Sequence, residues 1–179
     1  MALTFDLITV DVAEPRLTAA AIMADNPELA VELDEDDGRW LVLASANDQR
    51  RFGLQRSDAR EVAARIGTID DVLDGCITLS VADIDIARSF FSDAVGLSVA
   101  GDRLEFNGAP VIELVAAPPL PSNLHLDFAC QPEEFSAEIA RLLDHRATRI
   151  GPPHSAVWGA SQVFVAPAGG VFCLNAYVD

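Results

Sequence analysis

This chain of 179 residues contains no lysine; all 12 of its basic residues are arginine. That absence excludes a Schiff-base amine, a Walker-type phosphate loop and a lysine general base. Positive charge is scarce overall, with 28 acidic residues and a formal net charge of −16. A chain so acidic repels nucleic acid and anionic membrane surfaces, so neither is expected as a partner. Cysteine is scarce too. Cys76, Cys130 and Cys173 are odd in number, with no CxxC pair and no histidine at finger spacing. They read as reduced cysteines of a cytoplasmic protein, not as a disulfide frame. No apolar run approaches the roughly 20 residues of a membrane helix, and the opening MALTFDLITV has no basic leader.

What the chain does have is a repeat. ITVDVAEP (8–15) and ITLSVADI (77–84) share four of eight residues, and LDFACQPE (126–133) keeps the same pattern. Each copy alternates as a strand does. Ile8, Val10 and Val12 share one face, as do Ile77, Leu79 and Val81, and Leu126, Phe128 and Cys130. The opposite faces carry Thr9 and Asp11, Thr78 and Ser80, and His125 and Asp127. A polar face in all three copies reads either as the wall of a cavity or as a solvated outer face.

A helix follows each strand. The spacing of Phe135, Ile139, Leu142 and Leu143 predicts an apolar stripe in the third. Asp83 is the expected cap of the second, which stops at Gly96. The first begins at Pro15. Short strands follow each helix: 30–33, 39–44 and 52–55, then 97–100, 103–106 and 111–115, then 148–150, 162–165 and 171–177. Every unit is therefore βαβββ. Residues 58–74 form a connector, helical at 59–66. The Pro-Pro pairs at 118–119 and 152–153 mark loops. The acidic turn DEDDG (34–38) reads as a solvated hairpin turn, and Trp40 as strand packing.

A repeated βαβββ unit with a polar inner face resembles the vicinal oxygen chelate superfamily, the group of glyoxalases, bleomycin-resistance proteins and extradiol dioxygenases. VADIDIARSFFSDAVGLSV (81–99), VIELV (111–115), LHLDFA (124–129), EIARLLDHRATRIG (138–151) and VFVAPAGGVFCL (163–174) carry the resemblance. It implies an α+β fold in which two βαβββ units form one curved eight-stranded mixed sheet around a cavity. On this chain it implies a glyoxalase-like domain at 75–179, preceded by one extra N-terminal unit at 1–57. The odd unit then has three ways to be covered: pairing with its copy in a homodimer, which is the favoured reading; pairing with the second unit, leaving the third to pair across chains; or packing outside.

The resemblance also places four positions that can hold a divalent metal: Cys76 and His125 on first strands, Glu113 and Cys173 on last strands. The first unit offers only Leu7 and Gly53 or Leu54 there. Zinc would suit thiolate, imidazole and carboxylate. The favoured expectation is a cavity without a metal or other cofactor, in which Glu113 and His125 face each other as catalytic candidates. A buried, protonated Glu113 would serve as general acid or base, unless Arg103 on the neighbouring strand pairs with it. Thr78, Ser80, Asp127, Trp158 and Cys173 would line the ligand site, with His154 and Trp158 on a loop over its mouth. The expected function is binding of a small organic molecule, cationic or neutral, in the manner of bleomycin-resistance proteins. The alternatives are a metal-dependent glyoxalase- or dioxygenase-type lyase or isomerase, and a non-catalytic dimeric assembly module.

Overall fold

The three repeats fold as three units, each a strand, a helix and three further strands. In the computed structural model, residues 3–35, 37–45, 51–65, 67–74, 76–106, 109–118 and 121–178 are described. The first unit comprises β1 (Thr4–Val12), α1 (Pro15–Asp25), β2 (Leu29–Glu35), β3 (Trp40–Ser45) and β4 (Arg51–Arg56). The connector holds α2 (Ala59–Ala64) and α3 (Ile69–Leu73). The second unit is β5 (Cys76–Val81), α4 (Ile84–Ser89), β6 (Ser98–Ala100), β7 (Arg103–Phe106) and β8 (Ala109–Ala116). The third is β9 (Leu124–Ala129), α5 (Phe135–Asp144), β10 (Thr148–Ala156), β11 (Gly159–Val165) and β12 (Val171–Tyr177).

The local signals act as the sequence predicts. The Asp83 side chain accepts from the backbone of Ile86 and starts α4. The helix then widens into a π turn, Phe90–Val95, and Gly96 ends it at φ 89°. That wide turn buries Phe90, Phe91, Ala94 and Val95 on one side. The acidic 34–38 turn is not left to solvent alone, because Arg16 of α1 donates to both Asp34 and Asp37. The second Pro-Pro pair, expected in a loop, lies inside β10. β10 is an edge strand whose register slips between Ile150 and His154, the setting in which a strand tolerates proline. In the first pair, Pro119 falls outside the described residues.

The α+β architecture of βαβββ units with a mixed eight-stranded sheet is present, but the sheet joins different units from those expected. β1 pairs antiparallel with β9, so the first and third units form one sheet in the order β10-β11-β12-β9-β1-β4-β3-β2. The second unit forms its own four-stranded sheet, β5-β8-β7-β6. This corrects the pairing of the second unit with the third. The edge of β1 by which the N-terminal unit was expected to pair with its copy is occupied by β9 of the same chain.

The register of that pairing has a local two-fold character. Ile8 stands opposite Leu126, Leu7 opposite Asp127 and Thr9 opposite His125. The apolar faces of both sheets turn to a common core with the helices between them. Phe90 of the second unit packs on Phe172 of the third at 5.6 Å between ring centres, and Phe128 meets Phe172 at 6.0 Å. Arg141 of α5 donates to the Ala94 carbonyl at 2.6 Å. Each fully buried ring contributes on the order of 2 to 3 kcal/mol through desolvation.

Candidate functional site

Strand alternation sends Ile8, Val10, Leu126 and Phe128 to the core, and so turns Thr9, Asp11, His125 and Asp127 to the concave side of the eight-stranded sheet. There Thr9, His125 and Asp127 wall a cavity of about 370 Å³. Thr9, His125, Asp127 and Cys173 line its floor, and Trp40, Trp158 and Tyr177 its side. The first unit supplies part of the lining and the third unit the rest, so neither makes the hollow alone.

The floor is a chain of polar contacts. Asp11 is buried and lies between a guanidinium and an imidazole: Arg65 Nη1 at 2.7 Å and His125 Nε2 at 3.3 Å. Arg65 stands at the end of α2, and the connector is held against the sheet by Asn123, whose Nδ2 donates to the carbonyls of Val62 and Gly67. Burial opposes protonation of His125. The hydrogen bond to Asp11, with the negative charges of Asp11 and Asp127, outweighs it and raises the imidazole above its ordinary value.

Asp127 is a strongly perturbed carboxyl of the cavity. Burial raises its carboxyl to about 6, and the hydrogen bond from Thr9, the nearby His125 and the hydrogen bond from Asn175 offset only part of that cost. Asn175 Nδ2 reaches Oδ1 at 3.4 Å, while Oδ2 is buried with no hydrogen-bond partner among the described residues. Cys173 stands directly opposite Asp127 in the β9–β12 register. Burial, with the adjacent carboxylate, pushes its thiol well above the ordinary value, so it is a neutral thiol and not a thiolate.

The aromatic side draws on both units. Trp40 on β3 lies 6.1 Å from Trp158 between ring centres, and Trp158 lies 5.8 Å from Tyr177. The Tyr177 hydroxyl donates to Asp6 Oδ2 at 2.5 Å, and Arg51 Nη1 holds Asp6 Oδ1 at 2.5 Å. Two glycines make the arrangement possible. A side chain at Gly53 would meet Thr9 Oγ1 at 2.5 Å and Trp40 Nε1 at 3.0 Å, so the gap there receives the indole. At Gly159, φ is 139° and a Cβ would sit 1.9 Å from the Ala176 carbonyl oxygen, so only glycine turns the chain after Trp158.

A family model for the glyoxalase-like domain matches residues 76–175, more than half of the chain. The chain belongs to the glyoxalase-like family. Through it the chain belongs to the vicinal oxygen chelate superfamily. No curated protein sequence matches the chain. Among solved structures it is similar to TnmS3, an antibiotic binding protein from Streptomyces sp. CB03234, at 24% identity over 58% of this chain and 94% of that one, with a TM-score of 0.43. It is similar to a glyoxalase/bleomycin resistance protein/dioxygenase family enzyme from Burkholderia phytofirmans PsJN at 15% identity, covering 58% and 98% of the two chains, with a TM-score of 0.47. It is also similar to the fosfomycin resistance protein FosX from Listeria monocytogenes at 20% identity, covering 57% and 90%, with a TM-score of 0.48.

In this glyoxalase-like chain the expected site residues divide between two places. His125, Asp127, Trp158 and Cys173 line the cavity. Thr78, Ser80 and Glu113 lie on the four-stranded sheet of the second unit, so the expectation that Glu113 and His125 face each other across one hollow is corrected. Glu113 stands opposite Arg103 on β7 and Thr78 on β5. The strand registers make Gly53, Glu113 and Cys173 equivalent positions, opposite Thr9, Thr78 and Asp127 respectively. The four metal positions of the cavity are therefore Leu7, Gly53, His125 and Cys173, of which two have no donor atom. Those four do not fit a divalent ion, and among the described residues no three His, Cys, Asp or Glu side chains converge on one. The side chain of Cys76 lies outside the described residues.

His154 and Trp158 do stand at the cavity, His154 on β10 and Trp158 in the turn before β11, their rings 6.4 Å apart between centres. His145 follows the last turn of α5, away from the cavity lining. Trp40, read from the sequence as strand packing, is a wall of the cavity. Arg65 and Tyr177 carry no motif. Tyr177 is the chain's single tyrosine, placed at the end of a strand, the one sequence feature by which it could have been found. Among the described residues, no helix is long and apolar enough to cross a membrane.

Proposed function

We propose that this glyoxalase-like chain binds a small organic molecule in the cavity between its first and third units, as bleomycin-resistance proteins do, without a metal. The observation that carries the reading is the contrast between the cavity's two sides. Trp40, Trp158 and Tyr177 offer apolar faces, while the floor presents one buried carboxyl oxygen, Asp127 Oδ2, with no hydrogen-bond partner among the described residues. A flat molecule with a hydrogen-bond donor at one end satisfies both: its ring system stacks on the indoles and its donor meets Asp127. The 370 Å³ volume suits a molecule of drug-like size. A neutral or cationic donor is favoured, because the carboxyl of Asp127 lies on the floor.

A second reading rests on Asp127 itself. A carboxyl titrating at about 6 beside a histidine is equipped for proton transfer, the requirement of a lyase or isomerase. One experiment addresses both readings. A panel of aromatic amines and neutral heteroaromatic compounds is screened by thermal shift against the wild type and Trp158→Ala. Binding in the cavity predicts stabilisation of the wild type that Trp158→Ala loses at least tenfold in affinity. Stabilisation unchanged by Trp158→Ala places the ligand elsewhere. Chemical change of a bound compound, lost in Asp127→Asn, selects the enzymatic reading over simple binding.

A further inference from the structure

Several arginines of this acidic chain are committed to carboxylates that hold the fold. Arg65 donates to Asp11 at 2.7 Å, Arg51 to Asp6 at 2.5 Å and Arg16 to Asp34 at 3.0 Å. Two arginines of the cavity are placed differently. Arg39 and Arg56 both line its first-unit wall, beside Trp40 and Gln55. The sheet brings them together: Trp40 pairs with Gln55, and one step further Arg56 N donates to the Arg39 carbonyl at 2.7 Å. Like charges opposite each other on neighbouring strands cost stability unless an anion answers them. Within the chain the answer is partial. Glu14 stands 3.9 Å from Arg56, past hydrogen-bond reach, and Glu35 lines the same wall as the pair. Among the described lining residues at this end, two guanidiniums and one carboxylate leave it positive, in a chain of net charge −16.

The other end is acidic. Strand register puts Asp127 level with Leu7, and Arg56 level with Val12. Those levels are about 17 Å apart along β1 at the rise of a strand, and the long arginine side chain shortens the gap between the charged groups. Trp40 bridges the interval. Its backbone pairs with Gln55, and its indole Nε1 reaches back to Gly53, level with Thr9. We propose that the cavity takes an amphoteric aromatic acid, its hydrogen-bond donor on Asp127 and its carboxylate on Arg39 and Arg56. This rests on the cavity-binding reading above and adds the charge of the ligand's far end. Guanidiniums suit the role, because their planar N–H pairs match the two oxygens of a carboxylate. The aromatic body between the two ends lies along the Trp40 indole.

The test compares two probes, an aminonaphthalene and the aminonaphthoic acid that carries a carboxylate at the end remote from the amine. Isothermal titration at pH 7 gives the ratio of their affinities. On the wild type the acid should bind about fivefold tighter at low salt, the worth of one solvent-exposed ion pair. That ratio should fall towards one as salt is raised to about 0.5 M, where the Debye length is only a few ångströms. In the double variant Arg39→Gln/Arg56→Gln the ratio should be close to one at either salt. It compares two ligands on one protein, so a general loss of affinity leaves it readable. The chain's overall charge acting alone predicts the reverse: the acid is repelled, binds more weakly than its parent, and improves as salt is added. That result, or a preference for the acid that persists in the double variant, overturns the inference while binding of the parent amine leaves the cavity reading standing. Should neither probe bind, the inference falls together with the cavity reading.

Discussion

Asp127→Asn should stabilise the protein, and increasingly so as pH rises. The carboxyl is buried at 5% exposure and titrates at about 6 instead of 3.8. The folded state therefore holds this proton more tightly than the unfolded chain does. Between about pH 4 and 6 the native form binds more protons, so the contribution of Asp127 to stability falls as pH rises through that window and stays low above it. A displacement of about two pH units corresponds to at most about 3 kcal/mol, and partial relaxation of a charged site brings the expected gain to about 1 to 3 kcal/mol. Asparagine keeps the shape and an acceptor for Asn175 but carries no charge to desolvate. The assay is urea denaturation of both proteins at intervals from pH 4 to 8, read as the difference in stability. That difference should be near zero at pH 4 and reach its plateau by about pH 7. A difference that does not change with pH, or a variant less stable than the wild type at pH 8, refutes the assignment of a costly buried carboxylate.

Three further outcomes follow from the cavity's construction. Gly53→Ala drives a methyl into Thr9 and Trp40, and should cost about 1 to 3 kcal/mol in chemical denaturation while blue- or red-shifting tryptophan emission as Trp40 is displaced. Asp11→Asn removes the hydrogen bond and charge that raise His125, so the imidazole midpoint followed by proton NMR should move down; an unchanged midpoint breaks the Asp11–His125 link. Arg65→Met removes a positive charge that lowers the same group, and should move that midpoint up. His125 has a raised folded value, so its contribution to stability is present below its unfolded pKa and lost as pH rises through the folded one.

The elements were legible in the sequence because their signals are local. Asp83, Gly96 and the alternation of LHLDFA act within a few residues, and they fold as the pattern dictates. The polar face of the first strands was legible for the same reason, and it named His125 and Asp127, which line the cavity; Cys173, on a last strand, was named by the family resemblance. The partnership of units was not legible. Three units present nearly the same edge strand, and consecutive units are the ordinary neighbours. The choice of the first unit as partner of the third rests on side chains far apart in sequence. Asp11 answers His125, Arg51 and Asp6 anchor Tyr177, and Trp40 meets Trp158. The second unit has Ser80 where the first has Asp11, and so offers His125 no carboxylate at that position. Glu113 was misplaced by this step alone; its strand and register position were read correctly.

The central claim is that β1, and not β5, lies beside β9. Strand-pair NMR reads this directly, since Ile8 and Leu126 form a close antiparallel pair whose α-protons approach within nuclear Overhauser range. A strong Hα–Hα cross-peak between Ile8 and Leu126 is the predicted result. A cross-peak from Ile77 to Leu126 in its place would contradict the pairing, and with it the cavity.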